Sequence, residues 1–324
     1  MRGMILAAGL GTRLHPLTFS RPKVLVPVMG VTLLEFWINR FHQEGFEGLV
    51  INAYHLSERV VDAVAGGRWP IPVEVRVETT LLGTGGGIRN VLDYFEGGPF
   101  VVVNGDVVCD ASLKDLLDRH VESGVSVSLL MHDCPPFNNV AVDADGKVLG
   151  FGREAEDLLR LHAGEMRLSA FTGIHVINPE VLEDLPAAYP GDILATYRRL
   201  IVEGCPPRSE WEAGLYWREM GSLSSYRNLN AELGVAAGSF LQPFPTGSQI
   251  RVHERARIEP GVRMRGTVVV GEGSRVMEGA ELEDTILWDG VLVERGARLR
   301  NCIAADGVTV AGIHEDEIIA GDGL

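Results

Sequence analysis

Residues 4 to 14 read Met4-Ile5-Leu6-Ala7-Ala8-Gly9-Leu10-Gly11-Thr12-Arg13-Leu14, an apolar strand that runs directly into glycines and a cation. Small residues at the end of a strand let backbone N–H groups close around a phosphate chain. We call Leu6–Leu14 the glycine loop and expect it to bind an anion. A purely structural turn is the second interpretation, because the loop lacks the third glycine of a dinucleotide fingerprint and the Gly-Lys-Ser/Thr ending of a P-loop.

Strands and helices alternate downstream of this loop. Apolar runs predict strands at Met4–Ala8, Leu49–Asn52, Val73–Val77, Phe100–Val103 and Val125–Met131. With helical patterns between the first several of them, this alternation predicts an α/β fold built on a doubly wound, mixed sheet. In such folds, ligands bind at the carboxyl edge of the sheet, where the glycine loop begins.

Two helices carry clear boundary signals. Thr32 and Glu35 form a capping-box pair at the start of one helix, and its terminator is Gly45. Ser112 begins another helix, which closes near Gly124. These boundaries place helices between the predicted strands.

The last quarter of the chain has a different period. An apolar residue recurs at every sixth position, and the phase slips after Trp288. The recurring residues are Val252, Ile258, Met264, Val270, Val276, Leu282 and Trp288, continued less regularly by Val293 and Leu299. This period fits a triangular parallel β-helix, in which each coil buries one anchor per side, and an irregular β-tail is the alternative. We predict a first domain of residues 1–239 and a short left-handed parallel β-helix of residues 240–324, joined near the prolines of Phe240–Gly247.

Composition limits the classes of partner. The 324 residues include 46% hydrophobic and 23% charged residues, as in folded globular proteins, and the net charge of −15 argues against nucleic acid or an anionic membrane as a partner. Because Cys109, Cys134, Cys205 and Cys302 form no CxxC pair, we expect reduced, buried thiols. The apolar stretch Met4–Leu10 is too short for a signal peptide or a membrane span, which favours a cytoplasmic protein.

The glycine loop continues into a basic segment, which we define as His15–Val28. It reads His15-Pro16-Leu17-Thr18-Phe19-Ser20-Arg21-Pro22-Lys23-Val24-Leu25-Val26-Pro27-Val28. Together the two resemble the signature of the sugar nucleotidyltransferases, a family that includes mannose-1-phosphate guanylyltransferases, glucose-1-phosphate thymidylyltransferases and N-acetylmuramate-1-phosphate uridylyltransferases. In that family the arginine and lysine of the signature hold the nucleotide phosphates, which implies this role for Arg13 and Lys23. The resemblance extends nucleotide binding to Leu6, Ala8, Gly9, Gly11 and Thr12.

Two further motifs resemble the metal-binding motifs of the family. Asn104-Gly105-Asp106 follows an apolar strand, and the resemblance makes Asp106 a ligand of Mg²⁺, which combines a few carboxylate oxygens with phosphate and water. A lone Asp after a strand is otherwise a turn former. The second family carboxylate lies in a Trp-x-Asp-x-Gly motif, which here reads Trp217-Arg218-Glu219-Met220-Gly221. We expect Glu219 to bind the ion in place of Asp.

Nucleoside and sugar contacts are implied by further glycines. Leu82–Ile88 contains four glycines, precedes a helical pattern towards Phe95 and resembles a family segment that contacts the nucleoside, although a tight structural turn is an alternative. From it we expect nucleoside contacts at Glu78, Gly83 and Gly85.

Gly173 stands where a family strand has a glycine against the sugar, and Asn104 is the second sugar candidate. The family's Glu-Lys-Pro sugar motif is absent, since the chain reads Phe151-Gly152-Arg153 at this place. Arg153 and Asp192 are further candidates, and the sugar stays unassigned.

The resemblance implies attack by a sugar 1-phosphate on the α-phosphorus of a triphosphate, giving a nucleotide sugar and pyrophosphate. The attacking phosphate has a second pKa of about 6 and needs no general base, so His55, His120, His132 and His175 are interpreted as structural.

Three other classes of protein stay open. A regulatory subunit would bind nucleotide sugar without turnover, as the replacement at Glu219 and the missing Glu-Lys-Pro motif would allow. An acetyltransferase is possible because hexapeptide β-helices also build such enzymes, and a nicotinamide dehydrogenase is disfavoured by the missing third glycine. Since exposed coil ends need covering, we expect a homo-oligomer.

Overall fold

The computed structural model describes residues 1–161, 166–183, 185–186, 190–212, 214–236, 242–245 and 247–321. The chain divides into two compact units, the first formed by Met1–Leu10 and Trp37–Arg218 and the second by Gly11–Phe36 and Glu219–Leu324. The basic segment therefore belongs to the same unit as the C-terminal repeats. The predicted boundary between residues 239 and 240 lies outside the described residues, so the division into domains 1–239 and 240–324 stays a prediction.

The secondary-structure elements of the described residues up to 236 alternate along the chain. The strands are β1 (Arg2–Leu6), β2 (Pro27–Val28), β3 (Val31–Thr32), β4 (Gly48–Ala53), β5 (Val73–Val77), β6 (Phe100–Asn104), β7 (Val107–Cys109), β8 (Val127–His132), β9 (Val140–Asp143), β10 (Val148–Phe151), β11 (Met166–Ile177), β12 (Arg208–Trp211) and β13 (Trp217–Glu219). The helices are α1 (Leu33–Gln43), α2 (Ser57–Gly66), α3 (Gly83–Arg89), α4 (Leu113–Ser123), α5 (Arg153–Leu161), α6 (Glu180–Glu183), α7 (Ile193–Val202) and α8 (Leu223–Val235).

The remaining described residues form short strands. These are β14 (Ile250–Val252), β15 (Arg257–Ile258), β16 (Arg263–Arg265), β17 (Val268–Val270), β18 (Arg275–Val276), β19 (Glu281–Glu283), β20 (Ile286–Leu287), β21 (Leu292–Val293), β22 (Arg298–Arg300), β23 (Ile303–Ala304), β24 (Thr309–Val310), β25 (Ile313–Glu315) and β26 (Ile318–Ile319).

The first unit is built on a mixed sheet, which confirms the predicted fold class. Its main path is β10-β9-β11-β6-β1-β4-β5, and β8 and β12 continue it from β11. β6, β1, β4 and β5 are parallel neighbours, whereas β11 runs antiparallel to β6 and β8. Met4, Val50 and Val102 from three adjacent strands are fully buried in its core. All five predicted strands are present, and their ends differ from the predictions by at most two residues.

Local hydrogen bonds place the two predicted helices. The Thr32 hydroxyl accepts from the Glu35 N–H at 3.1 Å at the start of α1. The Ser112 hydroxyl accepts from the Asp115 N–H at 3.1 Å at the start of α4, and Gly124 ends α4 with a φ of 66°. A side-chain oxygen thus satisfies an N–H of the first turn that has no partner within the helix.

The C-terminal repeats form three parallel sheets, β14-β17-β20-β23-β26, β15-β18-β21-β24 and β16-β19-β22-β25. Each of the first four coils adds one strand to every sheet, as the hexapeptide period predicts, and the stack is consistent with a left-handed β-helix. Ile250 pairs with Val268, a step of 18 residues, whereas Val269 pairs with Ile286, a step of 17. The shorter step explains the slip in the hexapeptide phase.

The slip falls before Trp288 and not after it, which corrects the predicted set of anchors. Leu287 pairs with Val270 and occupies the anchor position with 1% of its surface exposed. Trp288 is also buried, but its indole N–H donates to the Tyr226 hydroxyl of α8 at 3.0 Å. Val276 and Leu282 are buried as predicted.

The cysteines are unbridged but not uniformly buried. Cys109 and Cys302 are buried, whereas Cys134 is half-buried and Cys205 is exposed, so the prediction of four buried thiols holds for two of them. Within the described ranges, we find no helix with the length and apolarity needed to cross a bilayer.

Candidate active site

The predicted motifs of the first unit lie at the carboxyl edge of its parallel strands. β1 ends at Leu6, β4 at Ala53, β5 at Val77 and β6 at Asn104. From β1 the chain proceeds through β4 to β5 on one side and then returns to place β6 on the other side of β1. The strand order reverses at this point, which is where open α/β sheets bind their ligands.

Two motifs that are far apart in sequence are hydrogen-bonded at this reversal. Leu6 pairs with Asn104 in the sheet, and the Gly105 N–H donates to the Leu6 carbonyl at 2.9 Å. Asp106 follows in the same turn and is half-buried. The turn that carries the predicted metal ligand therefore starts from the first residue of the glycine loop.

The part of the glycine loop in the first unit combines a fixed start with an open centre. The Ala7 N–H donates to the Asn52 side-chain oxygen at 2.8 Å, and Ala8 is buried. Among the described residues, a Cβ built on Gly9 would have no heavy atom within 4 Å. Space for a ligand is therefore present at Gly9.

Glu78 is placed among protein donors. Its side chain is 3% exposed, Oε1 accepts from the Asn52 amide at 2.7 Å, and Oε2 accepts from the Leu82 N–H at 3.0 Å. Because Asn52 also holds Ala7, the carboxylate connects the glycine loop to the segment before α3. Sequence reasoning missed Asn52, and its signal was a polar residue at the end of the apolar run of β4.

The glycines at residues 83–87 form α3 themselves, whereas the sequence predicts a helix that follows them and runs towards Phe95. Their surroundings are filled by another part of the first unit. The Gly85 N–H donates to the Gly191 carbonyl at 2.8 Å, and the Gly86 N–H donates to the same oxygen at 3.3 Å. Gly83 has a φ of +71°, and a Cβ there would lie 2.7 Å from that oxygen. These contacts support the structural interpretation of the glycine run.

Asp192 lies next to the glycine run and caps the start of α7. Its Oδ1 accepts from the Thr84 hydroxyl and from the Leu194 N–H, both at 3.1 Å, at the start of α7. Arg153 begins α5 and is exposed. Asp192 is thus engaged in hydrogen bonds at the start of α7, whereas Arg153 is exposed to solvent.

The other two sugar candidates contact each other. Gly173 in β11 has a φ of +79°, and a Cβ there would lie 2.5 Å from the Asn104 side-chain nitrogen. Any larger residue at this position would displace the Asn104 side chain. The glycine therefore keeps the end of β6 in its observed conformation.

In the second unit, an ion pair joins a predicted phosphate ligand to a predicted metal ligand. Arg13 Nη2 donates to Glu219 Oε1 at 2.7 Å, with the Arg13 side chain 66% exposed and the Glu219 side chain 18% exposed. A Cβ on Gly221 would lie 2.8 Å from the same oxygen and 3.0 Å from Arg13 Nη1. The final glycine of the Trp-x-Glu-x-Gly motif thus leaves room for this pair.

The remaining signature residues of this unit lie in tight turns. Gly11 has a φ of +66°, and its carbonyl accepts from the Thr18 hydroxyl at 2.8 Å. Thr12 and Arg13 lie in the 3-10 turn Thr12–Leu14, and the half-buried Lys23 begins the turn Lys23–Leu25. The two predicted phosphate ligands therefore sit on separate short turns.

His120 and His175, two of the histidines interpreted as structural, are buried and have polar partners in the first unit. Burial lowers the pKa of His175 to about 3, because a charged imidazole is costly away from water, and its Nδ1 is 2.9 Å from the Tyr197 hydroxyl. Burial also lowers the pKa of His120, which contacts Ser128 and Asn178. Burial thus disfavours the charged form of both rings.

Known proteins are similar to this chain in sequence. The family model described as Nucleotidyl transferase matches residues 2–234. A mannose-1-phosphate guanylyltransferase from Mycobacterium tuberculosis is 30% identical over 298 residues, which are 90% of this chain and 80% of that protein. An N-acetylmuramate alpha-1-phosphate uridylyltransferase from Neisseria meningitidis serogroup B is 31% identical over 191 residues, which are 58% of this chain and 79% of that protein. These matches confirm the resemblance drawn from the motifs.

A solved structure shares the fold. The crystal structure of HddC from Yersinia pseudotuberculosis aligns with a TM-score of 0.59 at 19% identity, covering 71% of this chain and 97% of that chain. At this identity, the likeness concerns the fold alone.

Proposed function

Because the chain belongs to the nucleotidyl transferase family, we propose that it transfers a nucleotidyl group from a nucleoside triphosphate to a sugar 1-phosphate. The products are a nucleotide sugar and pyrophosphate. One observation carries the proposal: the glycine loop and the Asn104-Gly105-Asp106 turn are hydrogen-bonded where the strand order of the sheet reverses. Ligands of open α/β sheets bind at this place.

The chemistry requires positioned charges and no proton-transfer group. An oxygen of the sugar 1-phosphate forms a bond to the α-phosphorus, and the bond from that phosphorus to the β-phosphate oxygen breaks. Arg13 and Lys23 bind the triphosphate and stabilise the charge that develops on the departing pyrophosphate. Backbone at Gly9 and Gly11 approaches the phosphates, since neither residue carries a side chain.

Asp106 and Glu219 are chemically suited to hold Mg²⁺. Both are carboxylates, which this hard cation prefers. Glu219 Oε1 accepts a hydrogen bond from Arg13, and Oε2 is a second oxygen that could bind the cation. Among the described residues, no group of three or more His, Cys, Asp or Glu side chains could hold a metal ion. When bound, Mg²⁺ neutralises charge on the phosphates.

Release of pyrophosphate tests the proposal. The purified chain is assayed with Mg²⁺ across a matrix of nucleoside triphosphates and sugar 1-phosphates. The names of the relatives suggest GTP with mannose 1-phosphate and UTP with N-acetylmuramate 1-phosphate as the first pairs. Turnover of any pair supports the enzyme. Binding of nucleotide sugars without turnover of any pair would select the regulatory subunit instead.

Asp106→Asn sharpens the test of the metal site. Loss of the charge should lower turnover at least about 100-fold, a size typical of losing one electrostatic contact to the transition state. The melting temperature should stay unchanged. Asp118→Asn is the matched control, because Asp118 pairs with Lys114 on the exposed side of α4 and should leave turnover intact. Full activity of Asp106→Asn would refute the role of this carboxylate.

A homo-oligomer is part of the same proposal. In the first coil of the β-helix, Ile250 is 41% exposed and Ile258 is 38% exposed, because this coil has a neighbouring coil on one side only. An apolar edge of this kind is commonly covered by another chain. Light scattering that gives the mass of a monomer at assay concentration would exclude it.

A further inference from the structure

Arg21 lies in the basic segment between the two proposed phosphate ligands, Arg13 and Lys23, and has no assigned role. Its side chain is 18% exposed and pairs with two carboxylates of the β-helix, while Nη1 donates to the Leu25 carbonyl at 3.5 Å. Nε donates to Asp306 Oδ2 at 3.0 Å, and Nη2 donates to Asp306 Oδ1 at 2.6 Å and to Asp289 Oδ2 at 2.9 Å. A guanidinium that binds a carboxylate with two parallel bonds is held in orientation as well as in place.

A second attachment lies on the other side of Lys23. The Trp288 ring is 5.0 Å from the Arg21 guanidinium carbon, and the indole N–H donates to the Tyr226 hydroxyl at 3.0 Å. That hydroxyl donates to the Pro27 carbonyl at 2.7 Å. Burial raises the pKa of Tyr226, so its hydroxyl keeps the proton that it donates. Residues on both sides of Lys23 are thus connected to the same coil.

The carboxylates that receive Arg21 are fixed by the backbone of the coils. Asp289 and Asp306 follow β20 and β23, which are neighbours in one sheet. Asp289 Oδ1 accepts from the Glu272 N–H at 2.8 Å, and the Asp289 N–H donates to Asp306 Oδ1 at 3.1 Å. Both carboxylates are therefore oriented by hydrogen bonds from the coils themselves. Because these carboxylates are held in place, they also fix the position of the Arg21 side chain that binds them.

We propose that Arg21 is a positioning residue through which the β-helix sets the conformation of the basic segment and so the placement of Lys23. The β-helix then acts as a scaffold for triphosphate binding. This role belongs to the proposed nucleotidyl transfer and needs no second active site. This role rests on the proposed function, because placement of Lys23 matters only if Lys23 binds the triphosphate. A purely stabilising ion pair is the competing role.

Arg21→Lys separates these roles, because lysine keeps the charge but cannot form two parallel bonds to one carboxylate. We expect the dissociation constant and KM for the triphosphate to rise about tenfold, while KM for the sugar 1-phosphate changes less. Asp306→Asn should act in the same direction, and the double variant should be little worse than either single variant, since all act through one contact. Arg275→Lys is the matched control, because Arg275 pairs with Glu259, and both residues belong to the β-helix.

Hydrogen exchange provides a measurement that does not depend on activity. The Leu25 and Val26 N–H groups donate to the carbonyls of Pro22 and Lys23. Their exchange should be faster in Arg21→Lys than in the original chain and unchanged in Arg275→Lys. If Arg21→Lys lowers the melting temperature but leaves both exchange and the triphosphate constants unchanged, the positioning role is overturned. If the original chain turns over no substrate pair, the proposed function fails, whereas the exchange result still shows whether Arg21 holds the segment.

Discussion

The two glycine-rich turns of the chain look alike in sequence and differ in structure. Gly9 lies after β1 in open space, since no described heavy atom lies within 4 Å of a Cβ built there. Gly83 and Gly85 lie in α3 against the Gly191 carbonyl, which a Cβ on Gly83 would approach to 2.7 Å. At Gly9 the missing side chain leaves space, whereas at Gly83 it is required by the chain's own backbone.

The difference shows what a glycine run can indicate about ligands. Glycine is selected either where a ligand approaches the backbone or where another segment of the protein does. The Gly85 and Gly86 N–H groups already donate to Gly191, so they offer little to an anion. The turn after β1 starts at the reversal of the strand order and has open space at Gly9. It is therefore the better candidate for the phosphates.

The largest expected effect is the loss of stability in Gly83→Ala. The substitution places a side chain at a φ of +71° and presses it against the Gly191 carbonyl. We expect a loss of about 3 kcal/mol in the free energy of unfolding, since both strain and a steric clash are added. The melting temperature, measured by calorimetry, should fall by roughly 6–12 °C.

Gly97→Ala is the control for that variant. Gly97 has a φ of +83°, but among the described residues nothing lies within 4 Å of a Cβ there. It should show the cost of the left-handed backbone alone, about 1 to 2 kcal/mol. If Gly83→Ala costs no more than Gly97→Ala, the close approach of Gly191 does not explain the glycine at position 83.

The fold could be predicted in large part because its signals are local. The buried parallel strands are continuous apolar runs, and Ser112 and Gly124 mark the ends of α4 by their own hydrogen-bonding and backbone preferences. The anchor positions of the β-helix were harder to predict. One coil is a residue shorter than the hexapeptide period requires, so that Leu287 and not Trp288 takes the anchor position. The hexapeptide period alone does not indicate which turn of the β-helix is one residue shorter.

The surroundings of the site depended on contacts that sequence spacing does not encode. The position of Asp106 beside the start of the glycine loop follows from parallel pairing of β1 with β6, which the fold class implies. By contrast, the filling of the α3 turn by Gly191 and the bonding of Glu78 to Asn52 join segments that carry no shared pattern. Such tertiary contacts decide whether a glycine or a carboxylate is available to a ligand.

Gly9→Ala should give the converse result, a loss of binding without a loss of stability. A methyl group at Gly9 meets no described atom, so the free energy of unfolding should change by no more than about 0.5 kcal/mol. The methyl would occupy space needed by the phosphates, and the triphosphate dissociation constant from calorimetry should rise about tenfold, equivalent to about 1.4 kcal/mol. Gly66→Ala, another open position at the end of α2, should leave affinity unchanged. Unaltered affinity in Gly9→Ala would remove the contrast between the two turns.

The smallest expected effect concerns the ion pair between Arg13, near the end of the glycine loop, and Glu219. An exposed pair of this kind is worth about 0.2–1 kcal/mol, so a triphosphate can compete with it for Arg13. In the absence of metal ions, Glu219→Gln should therefore tighten triphosphate binding about threefold, because the competing negative charge is removed. Glu278→Gln, which alters an exposed pair with Arg295 in the β-helix, is the control and should change nothing. Weaker binding by Glu219→Gln would mean that the carboxylate orients Arg13 for the phosphates and does not compete with them.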